Sequence, residues 1–456
     1  MTFYLDEVAA FAAECAFADL PSPVIERTKL VIADCIGAIA GGSVEPEIEE
    51  LSINLAGSSG EGEAAVIGTA LRTEPAKAAL LNGAAGTFLE MDEGNQFCKG
   101  HPGMHTFPAV FAAAEATPAS GPDLITALAV GYEVGARVGI ATDLRMSMHP
   151  HGTWGTLCAA VGVGRLVGFN ADQMKTLLNV AANLSLATSR RTMLEGGTVR
   201  NIFTGVSNQM GLLACDMVDA GFTGELDGIG NVFGKVVSDT FDPTAMTEDL
   251  GTRWEIARNY FKLHSCCRFN HAALDALEDI VRSHDGPVSV EDIEAISVDT
   301  YFLAAELDDR NPKNTLAGKF SVPFAMATTL INDSSGVQSF TWDAIRNETI
   351  QALANKVEVR NDPEMSAKLP ELRPATVKIA MRDGAVLEAA TETNRGDWRD
   401  PYSNAELKAK FHDLAARTWT KDDAEAVYEA TMTLETLAST QTFSRLVGEA
   451  GCRETG

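Results

Sequence analysis

A mostly α-helical protein, with a large all-helical domain and a smaller α+β domain, is the fold that this sequence predicts, and three observations predict it. Apolar residues recur at helical spacing through most of the first 265 residues. Near residue 288 the helical period gives way to alternation. From Ser403 the pattern is helical again, as SNAELKAKFHDLAA. The chain therefore divides into a helical domain over 1–265, an α+β domain over 266–398, and C-terminal helices over 399–456 that return to the first domain. A chain of 456 residues is also too long for a single hydrophobic core.

Each element has a local reason. Residues 123–143, DLITALAVGYEVGARVGIATD, space apolar side chains helically around Glu133 and Arg137. Asn170 followed by Gln173 forms a capping box for the helix MKTLLNVAANLSLA. The run from Gly205 to Ala220 is helical in pattern, and Gly221 is a C-terminal stop. Frequent small residues, as in GAAGTF and AAVGVG, lower helix propensity but let helices approach closely. In the second domain, Ile293 to Val298 reads as a strand. Val377, Ile379 and Met381 alternate before Asp383-Gly384, a two-residue turn signal, so 376–391 reads as a hairpin. Lys319 to Leu330 reads as one helix, and Ser403 caps the last domain's first helix.

Bulk properties exclude several functions. The formal charge is −27, from 63 acids against 36 bases. That opposes binding to nucleic acid and to an anionic membrane surface. Eight scattered cysteines without a CxxC fit reduced thiols in the cytoplasm rather than a disulfide framework or zinc ribbon. The N-terminus carries Asp6-Glu7 and no basic region, unlike a signal peptide. No uncharged apolar run reaches eighteen residues, so no membrane span is expected. Walker A, complete Rossmann and GxSxG motifs are absent from the sequence.

Chemistry concentrates in four stretches. Six of eight histidines form the pairs His101/His105, His149/His151 and His264/His271, which predict one site assembled by folding. Imidazole moves protons near neutral pH, so a proton-transferring enzyme is the first hypothesis. In LEMDEGNQFCKGHPGMH (89–105), Glu90, Asp92 and Glu93 precede His101, and a carboxylate beside an imidazole orients it for acid–base work. His149-Pro-His151 has the form of a metal pair, but Pro102 keeps His101 and His105 off one helix face, and no metal is expected. Two basic islands, Arg190/Arg191/Arg200 and Arg253/Arg258/Lys262/Arg268, stand out in an acidic chain and suit an anionic substrate. Lys262 serves either as a point charge or as a base. Adjacent Cys266-Cys267 are packing residues or, beside Lys262 and Arg268, activated thiols.

At these residues the sequence resembles the 2-methylcitrate dehydratase family, MmgE/PrpD. The resemblance runs through LPSPVIERTKLVIADCIGAIAGG (20–42), the acidic block to 116, HPHGTWGTLCAAVGVGRLVGF, EGGTVRNIFTGVSNQMGLLACDMVDAGFTG, KLHSCCRFNHAALDAL, GKFSVPFAMA and RGDWRDPYSNAELKAKF. It implies a helical domain with an α+β lid, a homodimer, a site between the domains and no cofactor. It also implies a lyase, dehydratase-like, acting on a small di- or tricarboxylate by proton abstraction. An epimerase of the iminodisuccinate type and a cis-aconitate-type decarboxylase are the alternatives within the family; a non-catalytic carboxylate-binding protein is the alternative outside it. By the resemblance, Asp92-Glu93 replaces paired aspartates, His101-Pro102 matches a His-Pro, and His149 and Lys262 fall on site positions. Arg200 stands where the family has lysine, and Cys267 where some decarboxylating members have histidine. The expected roles are base and acid for His101, His149 and Lys262, orientation for Asp92, and substrate binding for Arg200, Arg268, Cys267 and His151.

Overall fold

The computed structural model describes residues 3–56, 62–284 and 288–451; Cys452 lies outside them. Helices take 59 % of the chain and strands 10 %, so the protein is mostly α with a small α+β region. The helical part is built on α1 (Ser22–Gly42), α2 (Pro75–Phe88), α3 (Pro102–Ala116), α4 (Gly121–Ala141), α5 (Gly155–Leu166) and α6 (Phe203–Asp219). Two short antiparallel pairs, Ala64–Ala65 with Arg72–Thr73 and Thr142–Leu144 with Ser238–Phe241, clip its loops. Close helix approach explains the small residues. A Cβ on Gly205 of α6 would lie 2.1 Å from the Leu80 carbonyl oxygen of α2, which only backbone movement could relieve.

α4 is long and apolar enough to cross a membrane, with a window of mean hydropathy 1.4, which the sequence reading did not anticipate. It is instead a core helix, 94 % buried in that window. Its Glu133 Oε1 accepts from Arg137 Nε at 2.6 Å, with both side chains fully buried. The caps fall where expected: Asn170 with Gln173, and Ser403 with Glu406, each form a complete capping box. Gly221 follows α6 with φ +89°, a left-handed stop suited to glycine.

The second part opens with α7 (Arg268–Ser283) against a four-stranded sheet of β1 (Ile293–Thr300), β2 (Val357–Asn361), β3 (Ala375–Met381) and β4 (Val386–Thr391). The order is β2-β1-β3-β4. β1 and β2 run parallel, the other pairs antiparallel. The hairpin turn differs from the two-residue form. Gly384 N–H donates to Met381 O, Met381 N–H to Ala385 O, and Gly384 has φ +89°. That is a type I turn closed by a left-handed glycine, the three-residue loop that also matches strand twist. The helix expected over 319–330 is broken. Thr315–Lys319 ends, Ser321 caps a new helix Val322–Asn332, and Pro323 sits in its first turn.

Two buried apolar clusters match this layout. One spans residues 5–261 and continues with Tyr402, Leu407, Phe411, Trp419 and Val447 of the C-terminal helices. The other runs from Cys266 to Ile379 and also takes in Met193. The C-terminal helix α8 (Asn404–Ala415) thus packs on α1, although it follows the sheet in sequence.

Candidate active site

The acidic loop after α2 is fastened on three sides. Gly94 and Tyr260 exchange backbone hydrogen bonds at 3.0 and 2.7 Å, and a Cβ on Gly94 would collide with the Tyr260 ring. Ser265 Oγ donates to Leu89 O at 2.7 Å. From α8, Lys410 Nζ lies 2.5 Å from both Asp34 Oδ1 and Met91 O, while Asp34 Oδ2 accepts from Glu93 N–H at 2.8 Å. These ties bring residues 89–93 against 260–265, across some 170 positions of chain.

Neighbouring acids then part company. Glu93 turns into the core. Its oxygens accept from Gly103 N–H in the first turn of α3 at 2.7 Å, from Tyr132 at 3.0 Å and from Asn259 at 3.1 Å. Burial, against those hydrogen bonds, raises it to about 8. Asp92 turns the other way. Its Oδ2 meets His101 Nδ1 at 2.6 Å and its Oδ1 lies 3.5 Å from Lys262 Nζ. Burial works to raise Asp92, but His101 and Lys262 hold it well below the usual carboxylate range. Asp92 is therefore a carboxylate, and His101 donates Nδ1–H to it. Burial, set against Asp92, lowers His101 and keeps it neutral. Its Nε2 carries no hydrogen bond among the described residues, leaving a lone pair free to take a proton.

Lys262 is fully buried and touches three oxygens: Glu90 O at 3.1 Å, Glu90 Oε2 at 3.5 Å and Asp92 Oδ1 at 3.5 Å. Burial alone would lower it, yet Asp92 and Glu90 overcome that and raise it. The shift is toward the ammonium form, which suits a point charge better than a base. Arg200 Nη1 contacts Glu90 Oε1, and its Nε has no hydrogen-bond partner. Glu90 holds this position with φ +55°, a left-handed backbone costing on the order of 1–3 kcal/mol.

Four histidines pack edge to face. His151 lies 4.5 Å from His101, 5.1 Å from His105 and 4.7 Å from His149 between ring centroids. Gly155 makes room, since a Cβ there would sit 1.8 Å from His105 Cδ2. Burial, then Arg200, lowers His149 and His151 well below the ordinary value. His149 Nδ1 accepts the His151 backbone N–H at 3.0 Å, which places the His149 proton on Nε2 as a donor. His151 Nδ1 has no partner. Among the described residues no three His, Cys, Asp or Glu side chains are arranged to hold a metal ion.

Two of the three histidine pairs converge; the third does not. His264 Nε2 lies 3.0 Å from Asp275 Oδ1 and its Nδ1 2.6 Å from Ser335 Oγ, with His271 beside it at 4.8 Å. Arg268 pairs with Asp397 rather than with Glu90 or Asp92. Its guanidinium lies 4.3 Å over the Tyr260 ring, whose centroid is 6.4 Å from that of His101. Cys267 caps α7, and burial, then Glu90, raises it to about 11, so the thiol is not activated. Burial raises Cys266 as well.

Sequence reasoning missed three residues here. Glu90 was noted only as one of three acids, and its left-handed bridge between Arg200 and Lys262 has no local signal. Lys319 donates to Phe88 O at 3.1 Å, and its own carbonyl accepts from Cys267 N–H at 2.9 Å, joining lid to floor. It sits in the GKFSVPFAMA block, which was its only mark. Tyr260, whose ring neighbours both His101 and Arg268, was not singled out.

Two family matches cover most of the chain. The MmgE/PrpD N-terminal domain matches residues 6–243, and the MmgE/PrpD C-terminal domain matches 264–436. The chain belongs to the MmgE/PrpD family. Within it, the chain is similar to a cis-aconitate decarboxylase-like protein, oryM, of Aspergillus oryzae, at 24 % identity over 97 % of this chain and 96 % of that protein. It is also similar to cis-aconitate decarboxylases of Aspergillus terreus, at 25 % over 94 % and 93 %, and of Homo sapiens, at 24 % over 94 % and 91 %.

Proposed function

We propose that this MmgE/PrpD protein is a cofactor-independent lyase that removes a proton beside a carboxylate of a small di- or tricarboxylic acid. Family membership and the decarboxylase relatives support lyase-type activity on carboxylates. The observation that carries the mechanism is the Asp92–His101 contact of 2.6 Å, with Lys262 Nζ 3.5 Å from the same carboxylate. Asp92 fixes the tautomer, and His101 Nε2 takes the proton. Lys262 and Arg200 face the charge that builds on the carboxylate; one such fixed donor is worth about 3–4 kcal/mol of barrier. The His101 imidazolium formed in that step gives its proton to the leaving hydroxyl, which departs as water, and His149 Nε2–H hydrogen-bonds that hydroxyl as it leaves. Arg200 must exchange Glu90 for the substrate carboxylate on binding.

Decarboxylation is the second reading, favoured by the names of the relatives. Cys267 argues for dehydration, because its neutral thiol replaces the imidazole found in some decarboxylating members. Incubation with 2-methylcitrate, citrate and cis-aconitate in deuterated water tests both. A new ultraviolet-absorbing alkene supports dehydration, and released carbon dioxide supports decarboxylation. Deuterium uptake with inversion and no alkene replaces both with epimerisation. Binding without turnover replaces them with a carboxylate-binding protein.

A homodimer working in a reducing cytoplasm completes the proposal. Val199, Ile202, Val206, Met210, Leu213 and Met217 recur every three or four residues along α6 and its approach, with Val199 55 % and Leu213 40 % exposed. Such a stripe supports an apolar interface with a second copy. Among the described residues seven buried cysteines are free thiols, which supports the compartment. Neither nucleic acid nor membrane is expected as a partner of so acidic a chain.

A further inference from the structure

Beside Tyr260, whose ring also neighbours His101, lies a second buried cationic group that the proton-transfer chemistry leaves unused. Arg268 opens α7 and is 3 % exposed; Arg373 is 6 % exposed; Tyr301 is fully buried. The fold converges on this point. Thr300, the last residue of β1, pairs with Ala375, the first of β3, so Tyr301 and Arg373 leave the same end of the sheet. Phe269, next to Arg268, contacts both: its ring lies 5.9 Å from Tyr301 and 5.3 Å from the Arg373 guanidinium carbon.

These groups are poorly paired for their burial. A guanidinium carries five N–H donors. Arg373 makes one long hydrogen bond, Nη2 to Gln96 O at 3.4 Å, and its Nε has none. Arg268 Nη1 donates to Arg395 O at 3.1 Å and lies 3.5 Å from His271 Nδ1, while its Nε and Nη2 have no hydrogen-bond partner. Its nearest carboxylate oxygen, Asp397 Oδ2, is 3.7 Å away and is itself unpartnered. The Tyr301 hydroxyl has no partner either. Arg268 thus has one weakly held acid, and Arg373 has no ion-pair partner among the described residues. Buried charge is retained where something pairs with it, and guanidinium forks match a carboxylate bidentately.

We propose that Arg373, together with Arg268 and Tyr301, forms a second carboxylate subsite, next to Tyr260, that holds the distal carboxylate of a polycarboxylate substrate. The assignment rests on the carboxylate-lyase reading above, and it adds the residues that hold the second carboxylate. The reacting carboxylate meets Arg200 and Lys262, and the distal one meets Arg268 and Arg373. The first set already carries Glu90 and Asp92 as counter-ions, so the second set supplies the surplus positive charge.

Calorimetry with propane-1,2,3-tricarboxylate and with butyrate tests this on the full-length protein, alongside circular dichroism as a check on folding. Wild type is expected to bind the tricarboxylate far more tightly than butyrate. Arg373→Gln should weaken the tricarboxylate roughly a hundredfold and leave butyrate within about twofold. Arg373→Lys, which keeps the charge but loses the fork, should fall between. Tyr301→Phe should cost the tricarboxylate several-fold, and it provides the reading if Arg373→Gln does not fold. Equal losses for both probes, no loss in either variant, or no tricarboxylate binding to wild type would overturn the subsite. Failure of the lyase reading looks different. Arg373-dependent binding without turnover of any acid leaves the subsite standing, while turnover indifferent to Arg373 and Tyr301 leaves the lyase standing.

Discussion

Among the described residues two histidines pair with an aspartate, His101 and His264, and the pairs have different chemistry. His101 meets Asp92 at 2.6 Å, and His264 meets Asp275 at 3.0 Å. His264 spends its second nitrogen on Ser335, and Asp275 Oδ2 accepts from Arg395 N–H. Every polar atom of that pair is used to fasten α7 to its neighbouring loops. His101 leaves Nε2 without a partner, with a buried ammonium next to its aspartate. An acid beside a ring makes a base only where the far nitrogen is left unspent.

The largest effect that separates the two pairs is on turnover. His101→Gln should lower kcat about a thousandfold or more, since it removes the base, and Lys262→Met should do the same by removing the charge opposite the carbanion. His264→Gln should leave kcat within about threefold and lower the unfolding free energy by about 1–3 kcal/mol, read by denaturant titration. A dead His264→Gln enzyme that remains folded would erase the distinction. His149→Ala comes next, at roughly a hundredfold in kcat with a smaller change in KM.

The pH profile sharpens the same contrast. His101 acts as base only when neutral, and burial lowers its proton affinity, so kcat/KM should be flat near neutrality and fall in acid below about pH 6.5. His264→Gln should leave that limb in place. Stability has its own acid limb. His105 is lowered to about 4, and His149, His151 and His271 are lowered too, all by burial first. The unfolded chain binds protons that these rings refuse, so their contribution is complete above about pH 6.5 and is lost as the pH falls. Melting curves across that range separate the two limbs.

The smallest effect concerns Glu90. Glu90→Gln frees Arg200 and Lys262 from one counter-ion, and KM for a polycarboxylate should fall severalfold. An unchanged KM would mean that Arg200 does not exchange partners on binding.

Much of this was legible in the sequence. Caps at Asn170 and Ser403, the strand at Ile293 and the Asp92–His101 loop follow from local rules, and local rules travel within a few residues. What was hidden depends on distance. The parallel partner of β1 begins 57 residues after it ends. Lys410, which props the acidic loop, sits more than 300 residues from Met91. His264/His271 was grouped with the other pairs because spacing in sequence does not reveal which ring nitrogens are already engaged. Lys262 was ambiguous for the same reason: its protonation is decided by two acids some 170 positions upstream.

The three oxygens around Lys262 have a further consequence. Fully buried and surrounded by these oxygens, the amine is out of reach of reagents in solution. Reductive methylation, pyridoxal phosphate with borohydride and other amine-directed reagents should label exposed lysines first and spare this one, so the protein will tolerate extensive surface labelling or immobilisation through lysine without losing its central cation.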